Sequence, residues 1–231
     1  MDGNGRWAGQ RGQQRISGHR AGVESVRAVV DTGARLGLGA LTLYAFSSQN
    51  WSRPPDEVAG LMDLLREYLL KERSEILDNQ IRLNAIGELD KLPKYVREPL
   101  DEIRAVSANN TGMVLTLALS YGGREEIVAA AKAIAHQAAA GTLDANTITE
   151  ASFEAHLATS SLPPVDLVIR TSGEHRISNF MLWQSAYAEL LFTDTLWPAF
   201  RAPELLACIE EFQGRERRFG LTSAQLKRAG T

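Results

Sequence analysis

The middle of the chain reads Met113-Val114-Leu115-Thr116-Leu117-Ala118-Leu119-Ser120-Tyr121-Gly122-Gly123-Arg124, an apolar run followed by a polar turn with two glycines. The run lacks the alternation of apolar and polar residues that marks a strand with one face in water. It therefore predicts a strand buried on both faces, as in a parallel sheet. Such strands alternate with helices along the chain of an α/β protein.

Short apolar runs and long amphipathic segments do alternate on both sides of this stretch, which indicates the α/β class. The other predicted strands are Leu41–Phe46, Ile81–Ile86 and Val165–Ile169. No internal repeat or low-complexity linker divides the chain. We therefore expect residues 1–231 to form a single domain with a mainly parallel central sheet flanked by helices.

Apolar spacing and capping residues place the predicted helices between these strands. They are a helix capped by Ser17 that ends near Gly37, a helix that begins at Pro54 and Pro55 and carries an apolar stripe from Val58 to Leu69, an alanine-rich helix from Gly123 to Ala140, and a last helix that starts at Pro203 and runs into the basic stretch Arg215–Arg218.

The composition excludes several classes of protein. A formal net charge of −3 argues against a general nucleic-acid binder. The single cysteine, Cys208, cannot form an internal disulfide, which fits the reducing cytosol, and its apolar neighbours predict a buried thiol. No stretch approaches the length of a transmembrane helix and no signal peptide is visible. We expect a cytoplasmic protein that meets lipid only from the aqueous side, peripheral to the membrane.

Three polar clusters directly follow predicted strands, at residues 47–53, 120–124 and 170–176. In open α/β sheets the ligand crevice lies outside the carboxyl ends of the strands. One such cluster would be an ordinary loop. Three in the same kind of position predict a binding site.

The first seven residues, Met1-Asp2-Gly3-Asn4-Gly5-Arg6-Trp7, have the composition of a phosphate site. Glycines let backbone N–H groups approach a ligand closely, and an arginine beside them suits an oxygen-rich anion. A carboxylate would repel that anion unless a cation joins the complex, so Asp2 suggests a metal ion. A cluster of glycine and asparagine at a terminus is more often a frayed turn, and the segment alone does not decide between the two.

Basic residues form two groups that could bind phosphates. The first combines His19 with Arg6, Arg11, Arg15 and Arg20, and the second combines Arg170 and Arg176 with the hydroxyls of Thr171, Ser172 and Ser178. The alternative is a set of solvated surface arginines, but their position near helix starts favours anion binding. No Walker loop and no dinucleotide fingerprint is present, so a nucleotide is not the expected ligand.

Asp2 and Glu189 are the carboxylates we consider for Mg²⁺, which uses one or two carboxylates together with substrate phosphates. Glu189 is equally well interpreted as a surface acid on a helix. His175 lies in the second basic group and is typical of a polar loop residue. His136 and His156 receive no role.

The chain closely resembles the cis-prenyltransferases, the isoprenyl transferase family typified by bacterial undecaprenyl diphosphate synthase. The matching motifs follow the family's order over nearly the whole chain. They are Met1-Asp2-Gly3-Asn4-Gly5-Arg6-Trp7-Ala8, Gly18-His19-Arg20-Ala21-Gly22, Leu43-Tyr44-Ala45-Phe46-Ser47-Ser48, Asn50-Trp51, Arg53-Pro54, Tyr121-Gly122-Gly123-Arg124, Asp166-Leu167-Val168-Ile169-Arg170-Thr171-Ser172-Gly173-Glu174 and Phe192-Thr193-Asp194-Thr195-Leu196-Trp197-Pro198.

This resemblance implies a Mg²⁺-dependent enzyme that condenses isopentenyl diphosphate with an allylic diphosphate, expected to be farnesyl diphosphate. The product would be a long-chain cis-polyprenyl diphosphate, a lipid carrier precursor for cell-wall synthesis that is delivered to the membrane. The trans-type synthases use aspartate-rich motifs, and this chain has no adjacent pair of aspartates. The resemblance also implies a hydrophobic tunnel for the lipid, although the stripe Val58–Leu69 reads equally well as ordinary core.

The resemblance also assigns roles to individual residues. It implies that Asp2 binds Mg²⁺ and assists departure of the allylic diphosphate, and that Asn50 accepts a proton. Glu189 would complete the metal site, together with His175. The substrate-binding residues would be Gly3, Asn4, Gly5, Arg6, Trp7, Arg15 and His19 for the allylic diphosphate, Ser47, Ser48, Gln49, Trp51 and Arg53 around the reacting centre, and Arg170, Arg176, Ile177 and Ser178 for isopentenyl diphosphate.

Three expectations concern the partner subunit and departures from the family. The resemblance implies a homodimer in which Arg218-Phe219-Gly220 reaches the partner's active site. Position 49 is Gln where the family usually has Glu, and we expect activity to persist. The family places a strand before the Met-Asp-Gly-Asn motif, so we expect either a native chain that extends upstream of Met1 or an Asp2 held only from its C-terminal side.

Two other interpretations remain open from the sequence. One is a non-catalytic subunit of a cis-prenyltransferase complex, although Asp2, Asn4, Arg170 and Glu189 are all present. The other is a generic phosphate-binding module, which leaves the apolar stripe and the Asn50-Trp51 cluster unexplained. Product length depends on the depth of the lipid site and cannot be obtained from the sequence.

Overall fold

A computed structural model describes residues 1–216 of the chain. Its three-stranded sheet contains β1 (Ala40–Ser47), β2 (Arg82–Ile86) and β3 (Val114–Tyr121) in the order β1-β3-β2, and both pairings are parallel. Every residue of β3 is buried, as its apolar sequence predicts. A second, two-stranded parallel sheet joins β4 (Leu167–Arg170) to β5 (Glu189–Phe192). The predicted α/β class with parallel strands is confirmed.

Helices flank these strands. They are α1 (Asn4–Gly9), α2 (Arg15–Arg35), α3 (Pro55–Asp78), α4 (Lys94–Val106), α5 (Gly123–Ala139), α6 (Glu150–Glu154) and α7 (Ala202–Gln213). Short 3-10 turns occupy several connections, among them Ser48–Ser52 directly after β1. Within residues 1–216 no helix combines the length and apolar character needed to cross a bilayer.

The structure corrects three details of the predicted elements. Helix α2 begins two residues before Ser17, with Gln14 at the N-cap, and the Ser17 N–H donates to the Gln14 carbonyl within the first turn. Helix α7 stops at Gln213 because Gly214 forms its C-cap, so Arg215 lies beyond the helix and Arg217 and Arg218 lie outside the described residues. Glu189 begins strand β5, which the sequence analysis missed, and is therefore not on a helix.

The main core lies between the three-stranded sheet and helices α3, α4 and α7. It includes Leu115 and Leu119 of β3, Leu69 of α3 and Leu100 of α4, all fully buried. Cys208 of α7 is 8% exposed within the same cluster, so the predicted buried thiol is confirmed. The loops after β1 and β3, at the carboxyl ends of this sheet, and the loop after β4 of the second sheet carry the polar residues discussed next.

Candidate active site

Two glycines of α2 bring the start of the chain into place. A Cβ at Gly18 would lie 2.0 Å from the Asn4 carbonyl oxygen, and one at Gly22 would lie 2.5 Å from Asn4 Oδ1. The absence of side chains at Gly18 and Gly22 therefore lets α1 rest directly on α2. Gly3, with φ of +103°, forms the N-cap of α1 in a left-handed conformation that favours glycine.

Asp2 is anchored by residues that are distant in sequence. Its backbone N–H donates to Thr171 Oγ1 at 2.9 Å, and its carbonyl oxygen accepts from that hydroxyl at 2.8 Å and from the Trp197 N–H at 2.9 Å. The expectation that Asp2 is held only from its C-terminal side is therefore wrong. Residues after β4 and β5 fix its backbone.

The carboxylate of Asp2 faces Arg170, the last residue of β4. Its Oδ2 accepts from the Arg170 guanidinium at 3.0 Å, and its Oδ1 accepts from the Gly3 N–H at 2.7 Å. Partial burial alone would raise the pKa of Asp2, but these two hydrogen bonds and the charge of Arg170 outweigh it and hold the pKa below its usual value. Asp2 is thus an anion at neutral pH with 43% of its side chain exposed.

Arg6, from the first predicted basic group, contacts the loop that carries the second group. Arg6 donates to Ser172 Oγ at 2.5 Å and to Glu174 at 3.0 Å, and Glu174 also pairs with Arg176. Arg170 donates to Ser178 Oγ at 2.5 Å and to the Arg176 carbonyl oxygen. The opening segment and the loop after β4 therefore form one cluster in which three arginines pair with the carboxylates of Asp2 and Glu174.

The loop after β1 completes a second side of the site. Ser47 donates its N–H to Asn50 Oδ1 at 3.0 Å, and Trp51 Nε1 donates to Ser120 Oγ at 2.9 Å. The Trp51 ring also packs edge-on against Phe46. These contacts fix Asn50 and Trp51 above the carboxyl ends of β1 and β3, as the strand-end argument predicts.

Glu57, which the sequence analysis did not single out, contacts three of the predicted substrate-binding residues. Its carboxylate lies 3.0 Å from Arg53, 3.5 Å from Arg15 and 4.0 Å from His19 Nε2. Glu57 lies in the first turn of α3, where an acid also stabilises the helix, so its sequence context gives no sign of this second role. The Arg15 guanidinium in turn lies 3.1 Å from the position a Cβ would take at Gly5.

His19 is neutral in this surrounding. Burial is the main cause, and together with the nearby positive charges of Arg53 and Arg15 it lowers the pKa of His19 to about 4 although Glu57 opposes the shift. Among the described residues, His19 Nε2 and Asn4 Oδ1 are buried polar atoms without a hydrogen-bond partner. Such atoms are uncommon in folded proteins and mark a place where a ligand could supply the missing bonds.

An open cavity of about 1810 Å³ connects these groups with an apolar wall. Polar residues including Asp2, His19, Asn50 and Arg170 line one part of it. Apolar residues from α2, β1 and α3 line another part, namely Val23, Val26, Leu43, Leu61, Leu65 and Tyr68. The stripe predicted from Val58 to Leu69 thus contributes both to the core and to this cavity, while the hydrophobic tunnel stays a prediction.

Four other residues that were predicted to bind substrate differ in what they contact. Trp7 stacks under the Arg11 guanidinium at 3.9 Å, and Ile177 lines the cavity between Arg176 and Ser178. Ser48 and Gln49 instead point to Glu125, at 2.9 and 3.1 Å. Gln49 thus hydrogen-bonds an acid on α5.

Glu189 and His175, the other two residues proposed for the metal site, have partners other than Asp2. Glu189 pairs with Arg215 at 2.9 Å, and His175 packs against the Phe192 ring at 5.0 Å. Glu189 is opposite Leu167 in the β4–β5 register, three residues from Arg170, which is about 10 Å along the strand. Across residues 1–216 no group of three or more His, Cys, Asp or Glu side chains is arranged to hold a metal ion. The Asp2 carboxylate is 43% exposed beside Arg170, against 26% for the Glu174 carboxylate that pairs with Arg6 and Arg176, and this exposure fits Mg²⁺ bound mainly by substrate oxygens and water.

Comparison with known proteins agrees with the motifs. Residues 1–220 match the prenyltransferase family described as "Putative undecaprenyl diphosphate synthase". The isoprenyl transferase of Chlorobaculum tepidum is 54% identical over 227 residues, which cover 98% of this chain and 86% of that protein. The ditrans,polycis-undecaprenyl-diphosphate synthase of Vibrio vulnificus, named as specific for (2E,6E)-farnesyl diphosphate, is 47% identical over 98% of this chain and 90% of that protein.

A solved structure extends the likeness to three dimensions. Lavandulyl diphosphate synthase from Lavandula x intermedia, determined in complex with dimethylallyl diphosphate, has a TM-score of 0.92 to this chain. The two chains are 38% identical, and 95% of each is covered. The fold described above is therefore the fold of an enzyme crystallised with an allylic diphosphate.

Proposed function

Because the chain belongs to this prenyltransferase family, we propose that it condenses isopentenyl diphosphate head-to-tail with an allylic diphosphate and makes a long-chain cis-polyprenyl diphosphate. Farnesyl diphosphate is the primer we propose, in line with the name of the Vibrio vulnificus relative. One observation carries the proposal. The Asp2–Arg170 pair and the surrounding cations line the same cavity as the apolar residues of α2 and α3. A diphosphate head and a prenyl chain need this combination.

The proposed reaction forms one carbon–carbon bond in each cycle. The C1–O bond of the allylic diphosphate breaks, and diphosphate leaves with the electron pair. C1 joins C4 of isopentenyl diphosphate, and a proton is lost from C2 of that unit to give the new cis double bond. Negative charge develops on the leaving diphosphate, so preorganised cations lower the barrier. Arg6, Arg15 and His19 are proposed to bind the leaving diphosphate, and Arg170, Arg176 and Ser178 the diphosphate of isopentenyl diphosphate.

Asp2 is the residue we propose for Mg²⁺, with Asn50 as the proton acceptor. When bound, Mg²⁺ would supply positive charge to the leaving diphosphate. Asp2 suits this role because its pKa is low and its carboxylate is partly exposed. The family resemblance implies that Glu189 and His175 complete the metal site. For this, Glu189 would have to exchange its contact with Arg215 for one with the metal.

The alternative of a non-catalytic subunit gains no support from the relatives, which are named as transferases and synthases. We also propose that the enzyme is a homodimer, acts in the cytoplasm at the membrane surface and supplies a lipid carrier precursor for cell-wall synthesis. The family resemblance supports these points. Size-exclusion chromatography with light scattering tests the dimer, and a monomer at assay concentration would contradict it.

The central experiment incubates the protein with farnesyl diphosphate, radiolabelled isopentenyl diphosphate and Mg²⁺, and separates the products by chain length. We expect labelled long-chain product, its loss in EDTA and recovery on adding Mg²⁺. Dimethylallyl diphosphate alone should give no product, whereas a product in that reaction would indicate coupling of two allylic units.

Asp2→Asn should lower turnover by at least about 100-fold, in the range of a lost electrostatic contact at a reacting centre. Asp78→Asn, an exposed aspartate at the end of α3, is the matched control. No labelled lipid in the complete reaction would refute the proposed function.

A further inference from the structure

Glu125 lies in the first turn of α5 and connects two loops of the candidate site. Its Oε1 accepts from Ser48 Oγ at 2.9 Å and from Gln49 Nε2 at 3.1 Å, while its Oε2 accepts from Asn179 Nδ2 at 2.8 Å. Ser48 and Gln49 directly precede Asn50 in the loop after β1. Asn179 directly follows Ser178 in the loop after β4. One carboxylate therefore holds both loops.

The protein leaves room for this carboxylate at Gly122. A Cβ at Gly122 would lie 2.2 Å from Glu125 Oε2, 2.6 Å from Asn179 Nδ2 and 2.7 Å from Ser48 Oγ. All three partners therefore meet in the space that a side chain would fill. This contact gives a physical reason for glycine at the first position of the Gly122-Gly123 pair, a motif that the proposed reaction leaves without a role.

The loop after β4 depends on support of this kind. Ser178 and Asn179 have φ values of +53° and +62°, a left-handed conformation that is costly for residues other than glycine. Asn179 is held at three points, since its Oδ1 accepts from the Arg124 N–H, its carbonyl oxygen accepts from the Gly123 N–H and its Nδ2 donates to Glu125. The start of α5 thus fixes the loop conformation that presents Ser178 to Arg170.

The charge on Glu125 matches this role. Partial burial would raise the pKa of Glu125, but the hydrogen bonds from Asn179, its own backbone N–H, Ser48 and Gln49 outweigh that effect and lower it. The carboxylate is therefore ionised and accepts from the donors that face it. Glu125 is not among the described residues that line the cavity, so we expect it to act on the substrate only through the loops.

We propose that Glu125 is a positioning residue that sets the distance between Asn50 and the residues of the isopentenyl diphosphate site, Arg176 and Ser178. This inference rests on the proposed function for the meaning of those two loops. The geometry predicts that loss of Glu125 impairs the use of isopentenyl diphosphate but not the binding of the allylic diphosphate. Within the described part of the chain, the side chains of Arg6, Arg15 and His19 contact acids other than Glu125, so binding of the allylic diphosphate should not depend on it.

A reversed hydrogen bond tests the proposal. Glu125→Gln turns the Oε2 acceptor into a donor that opposes Asn179 Nδ2, and Asn179→Asp places a carboxylate oxygen against Glu125. In the double variant, the new amide at position 125 would donate to the new carboxylate at position 179. The amide oxygen would still accept from Ser48 and Gln49, and the other carboxylate oxygen would still accept from Arg124.

The kinetics of these variants should separate the two substrates. We expect each single variant to lower kcat and raise KM for isopentenyl diphosphate, with kcat/KM reduced about 10-fold or more. KM for the allylic diphosphate should stay unchanged, and the double variant should recover most of the loss. Equal losses for both substrates without recovery in the double variant would overturn the inference.

Hydrogen–deuterium exchange separates this inference from the proposed function. In Glu125→Gln, the peptides covering residues 47–53 and 173–181 should both exchange faster than in the unmodified protein. The control is Glu98→Gln on the exposed surface of α4, which should change neither the exchange of these peptides nor the kinetics. Exchange that stays the same in both loops would overturn the positioning role even if the enzyme is active. Faster exchange in an enzyme without prenyltransferase activity would refute the proposed function alone.

Discussion

Thr171 and Asp2 are joined by two hydrogen bonds through one hydroxyl: Thr171 Oγ1 accepts from the Asp2 N–H at 2.9 Å and donates to the Asp2 carbonyl oxygen at 2.8 Å. Thr171 is 2% exposed, so its position is set by packing. The preceding residue, Arg170, donates to the Asp2 carboxylate. The end of β4 therefore fixes both the backbone and the charge of the residue that we propose for Mg²⁺.

Thr171→Val should weaken this link without changing the shape of the side chain. It leaves the N–H and carbonyl of Asp2 without the hydroxyl partner, and a buried polar group that loses its partner costs about 1–3 kcal/mol. We expect kcat/KM to fall about 10-fold or more, since Asp2 is no longer held in place, and the free energy of unfolding to fall within that range. Steady-state kinetics and urea denaturation measure the two effects.

The control for that variant is Thr116→Val in β3. Thr116 is also buried, but its hydroxyl accepts only a long contact of 3.4 Å from Asn84 among the side-chain hydrogen bonds described for it. Its kinetics should match those of the unmodified protein. If Thr171→Val keeps full activity, the backbone link to Asp2 is not needed for catalysis.

Gly18→Ala should separate α1 from α2. The new Cβ would lie 2.0 Å from the Asn4 carbonyl oxygen, which is backbone and cannot rotate away. Overpacking of this kind costs about 1–3 kcal/mol, and here it also displaces the segment that carries Asp2 and Arg6. We expect a lower midpoint in urea together with weaker binding of the allylic diphosphate, measured by calorimetry with a non-reactive analogue.

Gly9→Ala is the matched substitution, at the end of α1. Apart from its chain neighbours and the nearby backbone of α1, no atom of the described residues lies within 4 Å of the position its Cβ would take, and its φ is not in the left-handed region. Loss of glycine flexibility in the unfolded chain should leave stability unchanged or raise it by about 0.4–1 kcal/mol. Equal destabilisation by both alanines would show that the contact between Gly18 and Asn4 is not the cause.

The part of the site that the sequence predicts consists of residues whose role follows from local context. The strand-end argument places Asn50, Trp51 and Arg170 correctly because parallel strands end at a common edge. The motifs identify the family, and the family match over residues 1–220 confirms that identification. Asp2 and Arg170 are 168 residues apart yet in contact, and the sequence analysis placed each at a phosphate site without predicting that the two pair.

The part that the sequence does not predict depends on contacts between distant segments. Glu125 and Ser48 are 77 residues apart, and nothing in the sequence near Glu125 distinguishes it from an ordinary acid at a helix start. Glu57 has the same ambiguity at the start of α3. Strand β5 is only four residues long, Glu189–Phe192, too short for a period of two to stand out from the neighbouring sequence.

Ser120→Ala should loosen Trp51. Ser120 is 1% exposed, and its Oγ accepts from Trp51 Nε1 at 2.9 Å, so alanine leaves an indole N–H without its acceptor. We expect kcat/KM to fall several-fold and the quenching of Trp51 fluorescence by iodide to increase. The Trp51 signal is obtained by subtracting the emission of a Trp51→Phe reference. Unchanged quenching and kinetics would show that packing against Phe46 is sufficient to hold the ring.

His19 should give the folded protein a distinct dependence on pH. Burial and nearby arginines lower the pKa of His19 to about 4, whereas an unfolded histidine has a value of 6.5. The unfolded state therefore binds more protons between these two values, and the stability from neutral His19 is present above pH 6.5 and is lost as the pH falls toward 4. The loss can reach about 1.4 kcal/mol per pH unit. Urea denaturation at several pH values should show a steeper decline for the unmodified protein than for His19→Gln, and parallel curves would contradict the assignment.

The same histidine should respond to the ligand. A diphosphate bound beside Arg15 and Arg53 brings negative charge to His19 Nε2, which has no hydrogen-bond partner among the described residues. Opposite charge favours the protonated form, so binding of inorganic pyrophosphate should raise the pKa of His19. Glu57→Gln removes a charge that already acts in this direction and should lower the pKa of His19 further in the free protein. NMR titration of histidine-labelled protein with and without pyrophosphate measures both shifts. A His19 pKa that is unchanged by pyrophosphate would place the bound anion away from this residue and would remove His19 from the proposed diphosphate site.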